Sequence, residues 1–397
     1  MHFLSIPTPV SAILETFQRH GFAAYLVGGC VRDGLLGKMP HDWDICTAAL
    51  PEQTLCLFPD AITTGLRHGT VTVRSGGISV EVTTFRSEGA YSDHRHPDSV
   101  RFVSDLTADL ARRDFTVNAM ALSASSVLQD PFGGRDDLSA GMLRAVGEPE
   151  QRFQEDALRM LRAVRFSAQL GFRIEPETET AIRTCAPLTE ALAAERVRDE
   201  LEKTLLSPNP QLLGMMHGMG LLRQHISGAI SVRWNALCAV PPERLQRWMA
   251  LVLLLAEAGD PLSLLASLRL DNKTAQACRD CVALRSIQPR TELTWKAAIA
   301  RRGAAAAEAA AAVLSAVDGC ADADAVRQIL QRGDCCSLRQ LAVSGRDLQQ
   351  LGFQGADVGR ALDALLRHVW RHPEDNDKAT LIHLIDQGGV PDDGFLE

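Results

Sequence analysis

The stretch GGCVRDGLLGKMPHDWDICT, residues 28–47, constrains the fold of this chain more than any other, and the apolar run AAYLV leads directly into it. A strand that ends at Gly28 and Gly29 and passes at once into a helix over CVRDGLLG leaves backbone N–H groups open to close approach, an arrangement that suits a phosphate. DWDICT then reads as the next strand. Residues two apart on a strand share a face, so Asp42 and Asp44 present their carboxylates together while Trp43 points the other way. Two such carboxylates repel unless a cation lies between them, and hard oxygen ligands at this spacing suit Mg²⁺. A third acid, Glu81, lies in the alternating run ISVEVTTFR, a strand able to pair beside the first. Three acids and two metals can activate an attacking hydroxyl and neutralise a leaving pyrophosphate. Taken alone, the same DxD also fits a solvated or helix-capping pair.

The texture of the chain changes after PFGGRDDLSAG. Before it, short apolar or alternating runs such as GTVTVRSGGISVEVTTFR and FTVNAMAL are punctuated by glycine and proline, the pattern of a mixed α/β head. From Glu155 onward, segments such as EDALRMLRAVRFSAQLGF and ALAAERVRDELEKTLLS repeat apolar residues at three and four, and the rest reads as helical. SPNP (207–210) and VPPE (240–243) punctuate the helical part, and AIARRGAAAAEAAAAVLSA (298–316) is a strong helix former.

Composition excludes more than it names. The longest apolar run, MALVLLLA, is far shorter than the ~20 residues of a membrane span, and the first residues lack a secretory pattern. A cytoplasmic protein is expected, with no membrane and no protein partner. Ten cysteines without paired spacing suit free thiols, and the single CxxC, Cys278 and Cys281, lacks a second pair at zinc-site spacing. A formal charge of −8 argues against coating of nucleic acid by bulk electrostatics and leaves room for a local basic face.

The order GG, RD, DWD, then RRDFTVNAMA and EDALRMLRAVRF, resembles the nucleotidyltransferase superfamily, in particular the bacterial-type (class II) CCA-adding tRNA nucleotidyltransferases and the related poly(A) polymerases. VSGRDLQQLGFQGADVGRALDALLRHVWRHPEDN resembles the tail of that family. The resemblance implies an α+β protein: a catalytic head with a mixed β-sheet and helices over 1–140, then all-α neck (141–206), body (207–297) and tail (298–397). It implies addition of the 3′-terminal CCA of tRNA from CTP and ATP with Mg²⁺ and release of pyrophosphate.

Residue by residue, the resemblance makes Asp42, Asp44 and Glu81 catalytic, with Asp42 and Asp44 holding metal. It gives phosphate contact to Arg113 and the ribose hydroxyl to Asp114, beside Arg112; arginine grips phosphate bidentately and a carboxylate accepts from a hydroxyl. Gly28, Gly29, Arg32, Asn118, Arg162 and Arg165 complete the nucleotide-binding set with Asp156 and Arg159. On one helix, Asp156 and Arg159 stand at i and i+3 and place an acceptor beside a donor. Cytosine and adenine offer an amine donor beside a ring-nitrogen acceptor, whereas uracil and guanine offer a carbonyl beside a ring N–H. The family uses this pair as an amino-acid template for the incoming base; an intrahelical salt bridge is the plainer alternative.

Several features stay open. RSEGAYSDHRHPDSVRFVSDLTADLA, with His94, Arg95 and His96, resembles the family's flexible loop at full length, which favours terminal A addition over CC addition alone. Glu195, Arg196 and Glu200 resemble a motif at the end of the neck, with helix-supporting salt bridges as the expected role. Arg244, Arg247, Arg301, Arg302, Arg346, Arg367 and Arg371 offer a broken basic track for RNA phosphates. His217, His225 and His368 lack neighbouring aspartates in sequence, so no phosphohydrolase domain is expected. An A-adding specialist, a poly(A) polymerase, or a non-catalytic RNA-binding relic remain as alternatives.

Overall fold

Alternation in the first part of the chain resolves into strands β1 (Ala24–Val27), β2 (Trp43–Thr47), β3 (Ile62–Gly65), β4 (Thr70–Ser75), β5 (Ile78–Thr84), β6 (Arg86–Glu88), β7 (Val100–Phe102), β8 (Ala121–Ser123), β9 (Leu128–Gln129), β10 (Met142–Leu143) and β11 (Arg173–Ile174). The computed structural model describes residues 5–66, 69–89, 99–226, 231–257 and 262–386, and the histidines His94 and His96 with Arg95 lie outside them. Two compact units are present, Met1–Ala229 and Ile230–Glu397.

In the first unit, β3-β4-β5-β2-β1-β8-β9 form one sheet, in which β2 and β5 alone run parallel. The β2–β5 register sets Trp43 beside Val80, Asp44 beside Glu81 and Ile45 beside Val82. Trp43, Ile45, Val80 and Val82 are buried, while the alternate residue Cys46 joins Val27, Phe85, Leu110 and Ala121 in another part of the core. Both faces of the sheet are therefore covered near the middle of β2, and the strand that carries Asp44 is held rigidly. β6 and β7 form a separate antiparallel ribbon, and β10 pairs in parallel with β11.

Helices α1 (Thr8–Arg19), α2 (Gly29–Leu35), α3 (Pro51–Leu57), α4 (Leu106–Ala111) and α5 (Gly134–Ala140) accompany the sheet. The helical remainder of this unit is α6 (Pro149–Glu155), α7 (Leu158–Leu170), α8 (Pro176–Cys185), α9 (Ala194–Leu205) and α10 (Leu213–Gly218). Its main contacts are α7 against α9 and α6 against α8.

The structure departs from the sequence reading at three places near the site. β2 begins at Trp43, so Asp42 stands just ahead of the ladder, exposed. FTVNAMAL is not one strand: Phe115 makes an isolated bridge to Ala145, residues 116–118 form a short 3₁₀ turn, and β8 follows. EDALRMLRAVRF is not one helix, because Asp156 adopts an extended conformation (φ −139°, ψ 103°) between α6 and α7. Its Oδ1 accepts the Leu158 backbone N–H at 3.1 Å, the local competition by which aspartate favours helix starts over helix interiors.

The second unit contains α11 (Arg244–Ala256), α12 (Leu262–Ser267), α13 (Asn272–Ser286), α14 (Glu292–Arg302), α15 (Ala304–Asp318), α16 (Asp322–Arg332), α17 (Gly345–Gln350), α18 (Ala356–Arg371) and α19 (Lys378–Asp386). α11 is buried almost all round, from Arg247 to Leu255. The 298–316 segment divides into α14 and α15 at Gly303, whose φ of +87° suits a residue without a Cβ. Residues 297 and 298, where the sequence places the body–tail division, lie inside α14. Cys278 and Cys281 face inward from α13, and burial pushes both thiols up to about 12. All ten cysteines are free thiols. Among the described residues no helix is long and apolar enough to cross a membrane.

Candidate nucleotide-transfer site

Asp44 lies directly opposite Glu81 in the parallel ladder, so their side chains leave the same face of the sheet. Burial, and then the charge of Glu81, push the Asp44 carboxyl up to about 6; Arg113 opposes the rise and Asp42 adds to it. Carboxylates so placed fit a divalent cation, whose charge would relieve this strain. Among the described residues no three His, Cys, Asp or Glu side chains converge into a metal-binding group. The three acids expected to act as one cluster therefore do not close on a single point, and a cation on Asp42 and Asp44 would complete its shell with water and substrate oxygens.

Gly28 sits at the turn from β1 into α2 with φ +73°. A Cβ there would lie 3.1 Å from Arg113 Nη1 and 3.9 Å from Asp44 Oδ2, so glycine lets the turn close on both. The site of Gly29 is looser, with Arg32 Nη2 3.6 Å from where a Cβ would stand. Arg113 Nε is buried and makes no hydrogen bond among the described residues.

Asp114 is the centre of a second set. Its Oδ1 accepts the Phe115 backbone N–H at 2.9 Å and Asn118 Nδ2 at 3.0 Å, and its Oδ2 accepts Arg162 Nε at 2.9 Å and Nη2 at 2.6 Å. Burial pushes this carboxyl up, but Arg162 and Asn118 outweigh it and hold the group at about 2. Asn118 Oδ1 in turn accepts from Arg32 Nη1 at 2.6 Å. The guanidinium carbons of Arg32 and Arg162 each lie 5.2 Å from the centre of the Phe166 ring, and that of Arg165 lies 3.7 Å from it. The sequence-predicted residues Arg32, Asp114, Asn118, Arg162 and Arg165 are thus brought together around a ring that the sequence did not single out.

The expected selectors are differently placed. Arg159 does not pair with Asp156: its Nη1 donates to Glu155 Oε2 at 2.6 Å and to the Arg152 carbonyl at 3.1 Å, and its Nη2 donates to the Arg112 carbonyl at 3.0 Å. Asp156 is met by Arg196 of α9 (Nη2 to Oδ2, 2.9 Å). The intrahelical pair read from an i, i+3 spacing is absent because Asp156 lies outside the helix. Glu200 braces its own helix as expected, with Oε1 3.8 Å from Lys203 Nζ, and also reaches across, as Arg196 does: its Oε2 lies 2.5 Å from Arg165 Nε, and the Glu200 and Arg165 side chains are buried.

Asp109 and Glu155 were not foreseen. Asp109 is fully buried at i−3 and i−4 from Arg112 and Arg113, and Glu155 precedes Arg159 by four; helical spacing was the available signal for both. In the second unit, Arg247 is buried with Nε on the Pro241 carbonyl, which removes it from any RNA-facing track. Arg244 pairs with Asp271 and Arg302 with Asp280, while Arg301 and Arg346 are exposed. His368 Nε2 lies 2.7 Å from Asp375 Oδ2, so the fold supplies an aspartate that is distant in the motif sense.

Comparison with known proteins follows this division. The poly A polymerase head domain family matches residues 24–144, the probable RNA- and SrmB-binding site of polymerase A matches 171–230, and the putative tRNA nucleotidyltransferase domain 2 matches 241–385. The CCA-adding enzyme of Geobacillus kaustophilus is 36% identical over 381 residues, covering 92% of this chain and 93% of its own. That of Lactiplantibacillus plantarum is 52% identical over 198 residues, half of each protein. The crystal structure of the Bacillus stearothermophilus CCA-adding enzyme in complex with CTP superimposes with a TM-score of 0.82 at 35% identity, over 96% of this chain and 98% of that one. The Thermotoga maritima CCA-adding enzyme complexed with tRNA shares the fold, with a TM-score of 0.62 at 19% identity. Matched at this identity over nearly its whole length, the chain belongs to the family of CCA-adding enzymes.

Proposed function

We propose that the chain completes the 3′ end of tRNA, adding C, C and A from CTP and ATP without a nucleic-acid template and releasing pyrophosphate at each step. The observation that carries the reading is the registry of Asp44 with Glu81 beside Gly28 and Arg113, which joins paired carboxylates to a phosphate-gripping cation at one strand end. The family implies dependence on a divalent metal, and the hard oxygen donors of Asp42 and Asp44 suit Mg²⁺. When bound there, the metal supplies Lewis-acid stabilisation of charge on the reacting phosphoryl oxygens.

The chain's own residues divide the remaining work. Gly28 clears space for the triphosphate and Arg113 holds it through the Nη1 that faces the Gly28 turn. The tRNA 3′-hydroxyl attacks the α-phosphorus; the new O–P bond forms as the bond to the bridging oxygen of pyrophosphate breaks, and the exposed Glu81 carboxylate takes the hydroxyl proton. Asp114 has four donors on its two oxygens, so a ribose hydroxyl would be accepted in exchange for one Arg162 bond. Asp156 and Arg159 read the base from the positions that Arg196 and the Arg112 carbonyl give them. We divide the chain into a head (1–140), a neck (141–206), and a helical body and tail that part at Gly303 between α14 and α15, the last two meeting tRNA, and the free thiols suit the reducing cytoplasm.

Equilibrium binding of the four nucleoside triphosphates in Mg²⁺ tests the site. CTP and ATP should bind at least about tenfold more tightly than UTP and GTP, the value of one matched hydrogen-bonding edge. Equal binding of all four would overturn the assignment of Asp156 and Arg159.

A further inference from the structure

Arg113 is a long side chain that must be in place before a triphosphate arrives, and one buried carboxylate holds it. Asp109 of α4 is fully buried, and its Oδ2 accepts from Arg113 Nη2 at 3.4 Å. Its Oδ1 accepts Arg112 Nε at 3.0 Å and the backbone N–H of Arg86, the first residue of β6, at 3.2 Å. A buried carboxylate is costly unless its lone pairs are met by donors, and here donors from Arg86, Arg112 and Arg113 meet it. The same segment reaches the base-reading side, because the Arg112 carbonyl accepts Arg159 Nη2 at 3.0 Å.

From this arrangement we infer that Asp109 is a positioning residue for nucleotide binding, fixing Arg113 against Gly28 and Asp44. The inference rests on the reading of Arg113 as a triphosphate ligand. Asp109 touches no substrate; it acts by ordering a guanidinium in advance, so that less conformational freedom is lost when the phosphates bind. Asp109 engages Nη2 and leaves Nη1, the atom that faces the Gly28 turn, for the ligand. The β6–β7 ribbon is tied in through the Arg86 N–H, so the ribbon and the phosphate grip share one anchor.

The test is steady-state incorporation of CTP into tRNA lacking CCA, and of ATP into tRNA ending in CC, by wild-type protein and by Asp109→Asn, with inorganic tripolyphosphate as a competing probe of the phosphate grip alone. The inference predicts a KM for both nucleotides raised about tenfold with kcat within about twofold, and tripolyphosphate inhibition weakened by the same factor, as for one charge-assisted hydrogen bond. In an Arg113→Gln background, Asp109→Asn should add nothing further. A carboxylate that merely supports the fold would lower the active fraction and leave KM and tripolyphosphate inhibition unchanged, and that result overturns the inference. So does a full additive effect in the Arg113→Gln background. If Asp109→Asn does not fold, Asp109→Glu keeps the charge and displaces it; the same KM shift is expected, and an unchanged KM overturns the proposal. Wild-type protein that incorporates no nucleotide overturns the reading of the site itself, and this inference with it.

Discussion

Arg196 of α9 closes on Asp156 at the break between α6 and α7, its Nη2 2.9 Å from Asp156 Oδ2 and 3.3 Å from Oδ1. A base-reading carboxylate at a break between helices needs such a partner, and the ion pair fixes its direction. Arg196→Ala should release Asp156 and raise the KM for CTP and ATP about tenfold, with a smaller effect on tRNA binding. Nucleotide titrations in parallel with tRNA binding check it; a loss confined to tRNA affinity would contradict the positioning role.

Asp44 and Glu81 predict a pH dependence. The Asp44 carboxyl is raised from 3.8 to about 6, so the folded protein holds a proton that the unfolded chain has lost between those values. The contribution of this group to stability therefore falls as pH rises through that window and is constant above about 6. Asp44→Asn should abolish turnover yet gain stability relative to wild type by ~1–3 kcal/mol above pH 6, a difference that shrinks toward pH 4. Urea unfolding in chelator, repeated across pH 4–7.5, measures it. Millimolar Mg²⁺ should reduce the gap at pH 7 by stabilising the wild type, and no effect of Mg²⁺ would speak against metal at Asp44.

Asp114 has the opposite sign. Held at about 2 in the folded state against an ordinary 3.8, it contributes stability that is present above about pH 4 and is lost as pH falls toward 2. Asp114→Asn should cost about 2 kcal/mol at pH 7 and lower the preference for CTP over dCTP about tenfold. Denaturation and competition between ribo- and deoxyribonucleotide give the two numbers separately, and an unchanged CTP preference would remove the ribose role.

Sequence reasoning found the paired acids, the glycine turn and the RRD segment because each depends on local spacing along a strand or at its end. It failed where tertiary partners decide. Asp156 was placed on a helix by its apolar neighbours, but its side chain takes the Leu158 N–H and ends one helix before starting the next. Arg165 is enclosed by Glu200 and the Phe166 ring, and its pairing with Glu200 links residues 35 positions apart, which no periodicity reveals. Asp109 went unnoticed because an acidic residue ahead of two arginines on a helix reads as a solvated pair, and only burial shows otherwise.

The Arg165–Glu200 pair makes a prediction of its own. Both groups are buried, and removal of one partner strands the other charge between α7 and α9. Glu200→Ala should cost about 3 kcal/mol in unfolding free energy. Replacement of both by apolar residues of similar volume should restore part of that loss, which denaturant titration of the single and double variants would show.

Incorporation by the purified protein with Mg²⁺ on three tRNA transcripts, ending before CCA, after C and after CC, tests the central claim most directly. Each labelled nucleoside triphosphate is offered singly, and CTP with ATP together. The account predicts two C and one A on the first transcript, one C and one A on the second, a single A on the third, and then a halt. Addition of A alone to the CC-ended transcript would mark an A-adding specialist. Runs of A on any RNA would mark a poly(A) polymerase, and no incorporation at all would contradict catalysis by Asp42, Asp44 and Glu81.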